Sequence, residues 1–153
     1  MRSCVPKPEQ IRALGVEVLG GLLPNALAFR EMAHDAHVLT KGANFGGLHA
    51  FFGEVYAALN EHVDEVKERA RTLGGEVRGI DATGATLITA LPVDASGDAL
   101  CEALFGAFVA YCAMLDAAFE RVAEMKLNGI AKVLQDRLAD FEKLGWQDVA
   151  HVS

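Results

Sequence analysis

Apolar residues recur every three or four positions between residues 45 and 73, which is the spacing of one face of an α-helix. They are Phe45, Leu48, Phe52, Val55, Leu59, Val63, Val66 and Leu73. Asn44, a good N-cap residue, stands directly before this stripe, and Gly74-Gly75 directly follows it. The pattern predicts one long amphipathic helix from residue 45 to residue 73.

The helix before it is predicted from residue 11 to residue 40, after a short tail of residues 1–8. Its apolar positions have the same helical spacing, and Lys41-Gly42 ends it. Pro24 lies inside this segment. Because proline removes one backbone hydrogen bond, we expect a kink or a helix restart there.

Two more helices are predicted in the second half of the chain. The first of them runs to about residue 126, and its candidate N-caps are Asp94, Ser96 and Asp98. Asn128-Gly129 predicts a turn, and a fourth helix follows from residue 130 to about residue 149. No internal repeat or linker divides the sequence, so we expect one domain over residues 1–153.

The connection between the second and third helices, residues 76–96, is long and rich in glycine, threonine and aspartate. Its middle, residues 85–91, is expected to hold a short extra helix. A crossover of this length lets the third helix run parallel to the second. The predicted fold class is therefore all-α, a ferritin-like four-helix bundle with one long crossover.

Composition favours an oligomer that handles cations. Hydrophobic residues make up 52% of the chain. This is more than a monomeric bundle of this size needs, so we expect surplus apolar surface to be buried between subunits. The net charge of −7 disfavours binding to nucleic acid or to an anionic membrane, and it suits positively charged ligands.

Cysteine use and the first residues indicate a cytoplasmic protein. Cys4, Cys101 and Cys112 form no pairing pattern, as expected of reduced thiols. The first ten residues contain no apolar run typical of a signal peptide. The longest apolar stretch, residues 103–115, is interrupted by polar and small residues, so we expect no membrane span.

Three of the five histidines lie between residues 34 and 49, and one of them shares a helix face with two carboxylates. At about 100° per residue, His49, Asp64 and Glu68 fall within about 100° of each other on the second helix. This sector lies beside the core stripe and contains small residues such as Gly53 and Ala57. It is a flank that another backbone can approach closely.

His49 and Asp64 are about 22 Å apart along the helix axis, at about 1.5 Å per residue, so one metal ion cannot bind both within one chain. An antiparallel two-fold pairing of this helix with its copy brings them together. With the axis near Ala57 or Ala58, His49 of one chain lies beside Asp64 and Glu68 of the other. His37 can approach the same site because the loop before the second helix is tight.

A mixed set of His, Asp and Glu ligands suits iron, since imidazole binds divalent iron and carboxylates stabilise the ferric product. A rival site within one chain is Glu31-x-x-His34, which has the spacing found in carboxylate-bridged di-iron bundles. Such a site needs a second motif of the same kind, and the sequence contains none.

The segment from residue 36 to residue 75 resembles the Dps family, the DNA-binding proteins from starved cells. The residues that match the family pattern in order and spacing are His37, Gly42, Asn44, Phe45, His49, Asp64, Glu68, Arg69 and Leu73-Gly74-Gly75. The resemblance implies a mini-ferritin that assembles from two-fold dimers into a hollow dodecamer. It also implies oxidation of Fe(II), preferentially by hydrogen peroxide, storage of the ferric mineral and protection against oxidative stress.

By position in the family pattern, His37 and His49 would be metal-binding and catalytic residues of one subunit, with Asp64 and Glu68 supplied by its two-fold mate. The chain departs from the pattern at Gly53, where the family has an acidic residue four positions after the second histidine. Both a di-iron and a mono-iron intersubunit site therefore stay open. Val38 also stands where tryptophan is common.

His34 occupies a position that is often lysine in the family. We hypothesise that His34 partly fills the space left at Gly53 and becomes a further metal ligand. The resulting histidine-rich site can hold zinc as well as iron.

DNA binding is expected to be weak or absent. The first twelve residues offer only Arg2, Lys7 and Arg12, and phosphate neutralisation requires several cations. The alternative function is a DNA-coating, nucleoid-associated shell whose ferroxidase site is weakened.

Overall fold

Four long helices account for most of the chain. The computed structural model describes residues 2–79, 82–87 and 90–152. Its helices are α1 (Glu9–Leu39), α2 (Phe45–Thr72), α3 (Gly97–Glu124) and α4 (Asn128–Ala150). Within the described ranges there is no β-strand. The predicted all-α four-helix class is confirmed.

A short loop joins α1 to α2 and sets them antiparallel. Thr40 leaves the helix with extended backbone, at ψ 141°, and Gly42 has a φ of 93°, which an L side chain rarely adopts. The N–H of Phe45 then donates to the Gly42 carbonyl over 3.1 Å. Asn44 precedes α2 as expected, but its side chain makes no capping hydrogen bond. The chain reverses here within a few residues.

Helix α1 continues through Pro24 without restarting. The residues on both sides of Pro24, including Leu23, Asn25 and Leu27, are buried. Packing on both sides therefore holds the helix through the position where proline costs it a backbone hydrogen bond. The expected restart does not occur because tertiary contacts outweigh this local loss.

The crossover runs back along α1 toward the α1–α2 loop. A Cβ atom at Gly79 would meet the Leu23 side chain at 2.5 Å, so the chain passes directly against the helix there. Further on, the buried side chain of Asn25 accepts hydrogen bonds from the N–H groups of Thr86 and Leu87 at 2.8 and 2.9 Å. Helix α3 therefore starts at the same end of the bundle as α2 and runs parallel to it.

The extra helix expected at residues 85–91 is only partly covered by the structure. Residues 88 and 89 lie outside the described residues, and the described neighbours at 85–87 and 90–91 are not helical. Among the three candidate caps of α3, Ser96 is the one that acts. Its hydroxyl oxygen accepts from the N–H of Ala99 over 3.2 Å.

The α3–α4 connection has the predicted length of three residues but lies about two residues earlier in the chain, at residues 125–127. Lys126 takes a left-handed conformation, with φ 55°, and Leu127 is the residue before α4. Asn128 and Gly129, which the sequence indicates as a turn, are instead the first two residues of α4. The chain reverses at Lys126, a lysine in a conformation that sequence patterns assign to glycine or asparagine.

Two helices are apolar over a longer stretch than the interrupted run at residues 103–115 led us to expect. By length and composition alone, α1 and α3 would each suffice to cross a membrane. In the fold both contribute core residues, among them Phe29 of α1 and Phe108 of α3, whose rings meet edge-on at 4.9 Å. On its outer side α3 leaves Phe105 and Val109 exposed, and Trp146 of α4 is 67% exposed. This exposed apolar surface agrees with burial against other subunits.

Candidate metal centre

His37 and His49 lie together where α1 ends and α2 begins. Their rings stack with centroids 3.8 Å apart. The Nδ1–H of His37 donates to the His49 carbonyl over 2.7 Å, and the Nδ1–H of His49 donates to the His37 carbonyl over 2.8 Å. The tight α1–α2 loop makes this reciprocal pairing possible, because it places the last turn of α1 beside the first turns of α2.

These two hydrogen bonds fix the tautomer of each neutral ring. A carbonyl oxygen only accepts hydrogen bonds, so the proton of each imidazole resides on Nδ1. The Nε2 lone pairs are therefore free, and neither Nε2 atom has a hydrogen-bond partner within the described residues. Metal-binding histidines are commonly oriented in this way, with the other ring nitrogen donating to a backbone carbonyl.

Gly53 supports the position of His37. A Cβ atom at residue 53 would lie 3.1 Å from Nδ1 and 3.2 Å from Cε1 of His37. The His37 ring thus uses the space that a side chain on α2 would take. The sequence hypothesis gave this space to His34, but no His34 atom lies within 4 Å of that Cβ position.

The rings of His34 and Phe45 flank the histidine pair. His34 stacks on Tyr56 with centroids 4.6 Å apart, one turn before His37 on α1. Phe45 stacks on His49 at 4.9 Å and covers its outer side. Both His37 and His49 remain partly exposed, as does His34. The pair is packed against one aromatic neighbour, Phe45, and stays partly open to solvent.

Asp64 and Glu68 lie on the same helix as His49 but three to five turns further along. Both carboxylates are exposed, and neither makes an ion pair within the described residues. No group of three or more His, Cys, Asp or Glu side chains within the described part of one chain is arranged to hold a metal ion. A single subunit brings the two histidines together and leaves the two carboxylates apart from them.

The rival site inside the bundle finds no support in the packing. Glu31 is exposed and pairs with the neighbouring Arg30 over 3.4 Å. The centre of the bundle is filled by aromatic rings, among them Phe29, Tyr111 and Phe141, which are fully buried. These rings occupy the space in which an intrasubunit di-iron site would need carboxylates.

His62, a histidine in the core, was not among the residues that the sequence singled out. Its Nε2 accepts a hydrogen bond of 2.5 Å from the Tyr111 hydroxyl. Burial, with a smaller contribution from the positive charge of Arg137, lowers the pKa of His62 to about 3, so the ring is neutral. The signal was present, because His62 stands three residues after Leu59 and four before Val66 on the apolar stripe.

A second buried polar group is Asp148 in the last turn of α4. Its side chain is completely buried, and neither carboxylate oxygen has a hydrogen bond of good geometry within the described residues. Burial raises the pKa of Asp148 to about 7; the Cys101 thiol beside it offsets part of this rise, and Glu102 adds to it. Burial next to this carboxyl also raises the pKa of Cys101 to about 12.

Comparison with known proteins identifies the family of the chain. The ferritin-like domain family matches residues 17–153. An uncharacterized protein of Haemophilus influenzae is 31% identical over 131 residues, which cover 84% of this chain and 81% of that protein.

Solved Dps structures have the same fold. DpsC from Streptomyces coelicolor has a TM-score of 0.90 at 22% identity, covering 100% of this chain and 91% of its own. The Dps protein from Vibrio cholerae O1 has a TM-score of 0.89 at 22% identity, covering 100% of this chain and 98% of its own. That protein is described as a member of a broad superfamily of ferritin-like diiron-carboxylate proteins. The chain belongs to the ferritin-like family and has the fold of its Dps members.

Proposed function

We propose that this protein is a cytoplasmic mini-ferritin that oxidises Fe(II), preferentially with hydrogen peroxide, and stores the ferric product inside a hollow dodecamer. The observation that carries this proposal is the stacked pair His37–His49. Both rings present a free Nε2 lone pair at the flank of α2, where a second subunit can supply carboxylates.

The missing ligands come from a symmetry mate. An antiparallel two-fold pairing of α2 with its copy places the histidine pair of one protomer beside Asp64 and Glu68 of the partner subunit. The exposed side chains between these groups on α2 include Ala57 and Asn60, so small residues are available near the axis. Each dimer then contains two equivalent sites, and each site draws on both chains.

Gly53 decides how much iron one site holds. Two neutral imidazoles and two carboxylates balance the charge of a single divalent cation. A second iron needs a further bridging or terminal carboxylate, and Gly53 removes the one that the family pattern provides. We therefore propose one iron per site. His34 can become an additional ligand only if its ring moves away from Tyr56. Four nitrogen and oxygen ligands also suit tetrahedral zinc, so zinc is a competitor.

The electron balance of the reaction constrains how such sites work. Reduction of one hydrogen peroxide to two water molecules takes two electrons and two protons, and each Fe(II) supplies one electron. A site with one iron therefore needs a second Fe(II) to deliver the second electron to the same peroxide, because one-electron cleavage of the O–O bond would form a hydroxyl radical. Keeping this chemistry on protein-bound iron limits the formation of hydroxyl radicals in solution and thereby protects the cell against oxidative stress.

DNA binding is proposed to be weak or absent near neutral pH. The net charge of −7 repels the phosphate backbone over most of the surface. A gel shift with duplex DNA that persists at physiological ionic strength and disappears at high salt would contradict this, and it would favour the DNA-coating shell instead.

Stopped-flow absorbance of anaerobic Fe(II)-loaded protein, mixed with peroxide or with oxygen, tests the proposed activity. A variant with both His37→Ala and His49→Ala should lose most of the rate with either oxidant. His151→Ala, which removes an exposed histidine whose Nδ1–H donates within α4 to Gln147, is the matched control and should react like the wild type. Equal rates in all three proteins, at the rate of free Fe(II), would overturn the proposal.

A further inference from the structure

A basic pocket lies at the end of the bundle opposite the histidine pair. It has a volume of about 1090 Å³ and is formed by the N-terminal tail, the last turn of α2, and the α3–α4 connection. The cationic residues that line it are Arg2, Lys7, Arg12, Arg69, Arg71 and Lys126. No Asp or Glu lines this pocket, although the chain as a whole has 21 acidic and 14 basic residues.

Most of this positive charge is not explained by the fold. Two of the six cations serve backbone carbonyls: Arg12 donates to Lys7 and Leu73, and Arg71 donates to Gly75. The bonds to Leu73 and Gly75 are ordinary contacts at the C-terminal end of α2, and the bond to Lys7 holds the N-terminal tail. For the other four, no ion pair or side-chain hydrogen bond occurs within the described residues. Like charges gathered around one cavity repel each other, and an anion in the cavity relieves that repulsion.

The first turn of α4 adds backbone N–H donors to the same cavity. Asn128, Gly129 and Ile130 line the pocket, and they form the first turn of a helix whose N-cap position, Leu127, offers no capping side chain. No acidic residue stands in this first turn either. The N–H groups of an uncapped helix start attract anions, and here they face a cavity that already holds cationic side chains.

The tail that closes the pocket is anchored. The Ser3 hydroxyl donates to the Thr72 carbonyl over 2.6 Å, and Nε of Arg12 donates to the Lys7 carbonyl over 3.2 Å. Apolar side chains, Val5 and Leu127 among them, form another part of the wall. The cavity therefore combines fixed cationic groups with apolar surface, and its volume is at the upper end of that of small-molecule sites.

We propose that this pocket binds a small phosphate-bearing ligand, with Arg69 and Lys126 as its main charged contacts. Guanidinium groups pair with phosphate oxygens in a two-pronged geometry, and an ammonium group adds a point charge. The apolar wall suits the organic part of a phosphate ester. This site is separate from the histidine pair, and the proposal does not depend on iron chemistry.

Calorimetric titration of the iron-free assembled protein with pyrophosphate and with ATP tests the proposal. The test variant combines Arg69→Gln with Lys126→Asn, since asparagine tolerates the left-handed backbone at residue 126. The matched control combines Arg121→Gln with Lys143→Gln, which removes the same charge from cations that do not line the pocket. We expect the test variant to bind either probe more weakly by about tenfold or more, and the control to stay within about twofold of the wild type.

A second measurement uses unmodified protein and so does not depend on how the variants fold. Cys4 lines the pocket and is exposed, whereas Cys101 is buried and burial raises the pKa of both Cys101 and Cys112, to about 12 and about 11. Cys4 is therefore the thiol that iodoacetamide modifies first. Saturating pyrophosphate or ATP should slow this alkylation several-fold.

Three results would overturn the proposal. The first is the absence of saturable binding of either probe at physiological salt. The second is equal affinity in the test and control variants with no protection of Cys4. The third is binding of duplex DNA that the test variant loses, without binding of pyrophosphate or ATP, because the surface would then contact a polynucleotide backbone and not a small ligand.

Discussion

The His37 ring lies against Gly53, so closely that a Cβ atom at position 53 would stand 3.1 Å from its Nδ1 atom. This spacing is tighter than ordinary van der Waals contact, and a side chain at residue 53 would require the ring to shift by a few tenths of an ångström. The absence of a side chain at position 53 and the placement of the His37 ring are thus one structural feature. The two stacked imidazoles and the glycine beneath them define a site with fewer charges than the family pattern implies.

Restoring the carboxylate should change the number of bound metal ions. We expect Gly53→Asp to raise the anaerobic Fe(II) stoichiometry from about one to about two per site, because a further carboxylate can hold a second cation. Calorimetric titration with Fe(II), checked by metal analysis after gel filtration, measures this. Gly47→Asp, at another α2 glycine with nothing within 4 Å of its Cβ position, controls for added charge and should leave the stoichiometry unchanged. An unchanged stoichiometry in both variants would mean that Gly53 does not limit the site.

Subunits with complementary defects should restore part of the activity. Protein with His37→Ala and His49→Ala, and protein with Asp64→Asn and Glu68→Gln, should each be nearly inactive alone. Dissociated and reassembled together, they form mixed dimers in which one of the two sites has all four native ligands. We expect up to about a quarter of the wild-type oxidation rate for random mixing, since half the dimers are mixed and each has one intact site. No recovery, in mixtures that demonstrably contain mixed dimers, would show that the ligands do not come from two chains.

His34 should contribute little to metal binding in the ground state. Its ring stacks on Tyr56, and His37 already occupies the space beside Gly53. His34→Ala is therefore expected to change the Fe(II) affinity by less than about threefold and to leave the stoichiometry unaltered. A loss as large as that of His37→Ala in the same titration would identify His34 as a ligand.

Asp148 should make the protein less stable as the pH rises from about 4 to about 7. Its folded-state pKa, about 7, lies above the ordinary value of 3.8, so the folded protein keeps a proton that the unfolded chain releases. At pH 7 and above, the burial of this carboxyl costs at most about 4 kcal/mol. Asp148→Asn should therefore raise the unfolding temperature relative to the wild type at pH 7.5 and less so at pH 4.5, as measured by calorimetry. A constant difference between the two proteins across this range would contradict the shift.

His62 should have the opposite dependence. Its folded-state pKa is depressed to about 3, so the stability that its neutral form provides is present above pH 6.5 and is lost as the pH falls toward 3. His62→Gln keeps an acceptor for the Tyr111 hydroxyl but does not titrate. The unfolding temperature of the wild type should fall more steeply than that of this variant between pH 6.5 and pH 4. Parallel curves would show that His62 is protonated in the folded protein.

Much of the fold follows from the sequence because the apolar stripe of α2 and the length of the crossover leave few alternatives. The path of the crossover along α1 did not follow from it. That path depends on the buried Asn25, whose two accepted hydrogen bonds reach across 61 and 62 positions of the chain. The sequence does not show which distant N–H groups a polar side chain in a helix will accept hydrogen bonds from.

Of the predicted site, the structure of one subunit shows the pairing of His37 with His49. Helix geometry grouped His49 with Asp64 and Glu68 on the flank of α2, and the short loop places His37 beside His49. The meeting of this pair with the carboxylates of a second subunit stays a prediction. What the sequence could not supply was ring placement: it assigned the space at Gly53 to His34, one turn of α1 away from the residue that fills it. A single turn shifts a side chain by about 5.4 Å, which exceeds the length of a metal–ligand bond.

Anomalous diffraction from a crystal soaked anaerobically with Fe(II) tests the intersubunit site most directly. A peak at the iron edge is expected between protomers, within about 2.0–2.3 Å of Nε2 of His37 and His49 and of the carboxylates of the partner's Asp64 and the partner's Glu68. One such peak per site would match the missing carboxylate at Gly53. An assembly that leaves the histidine pair facing open solvent, with those carboxylates far away and no peak between the chains, would contradict the proposed centre.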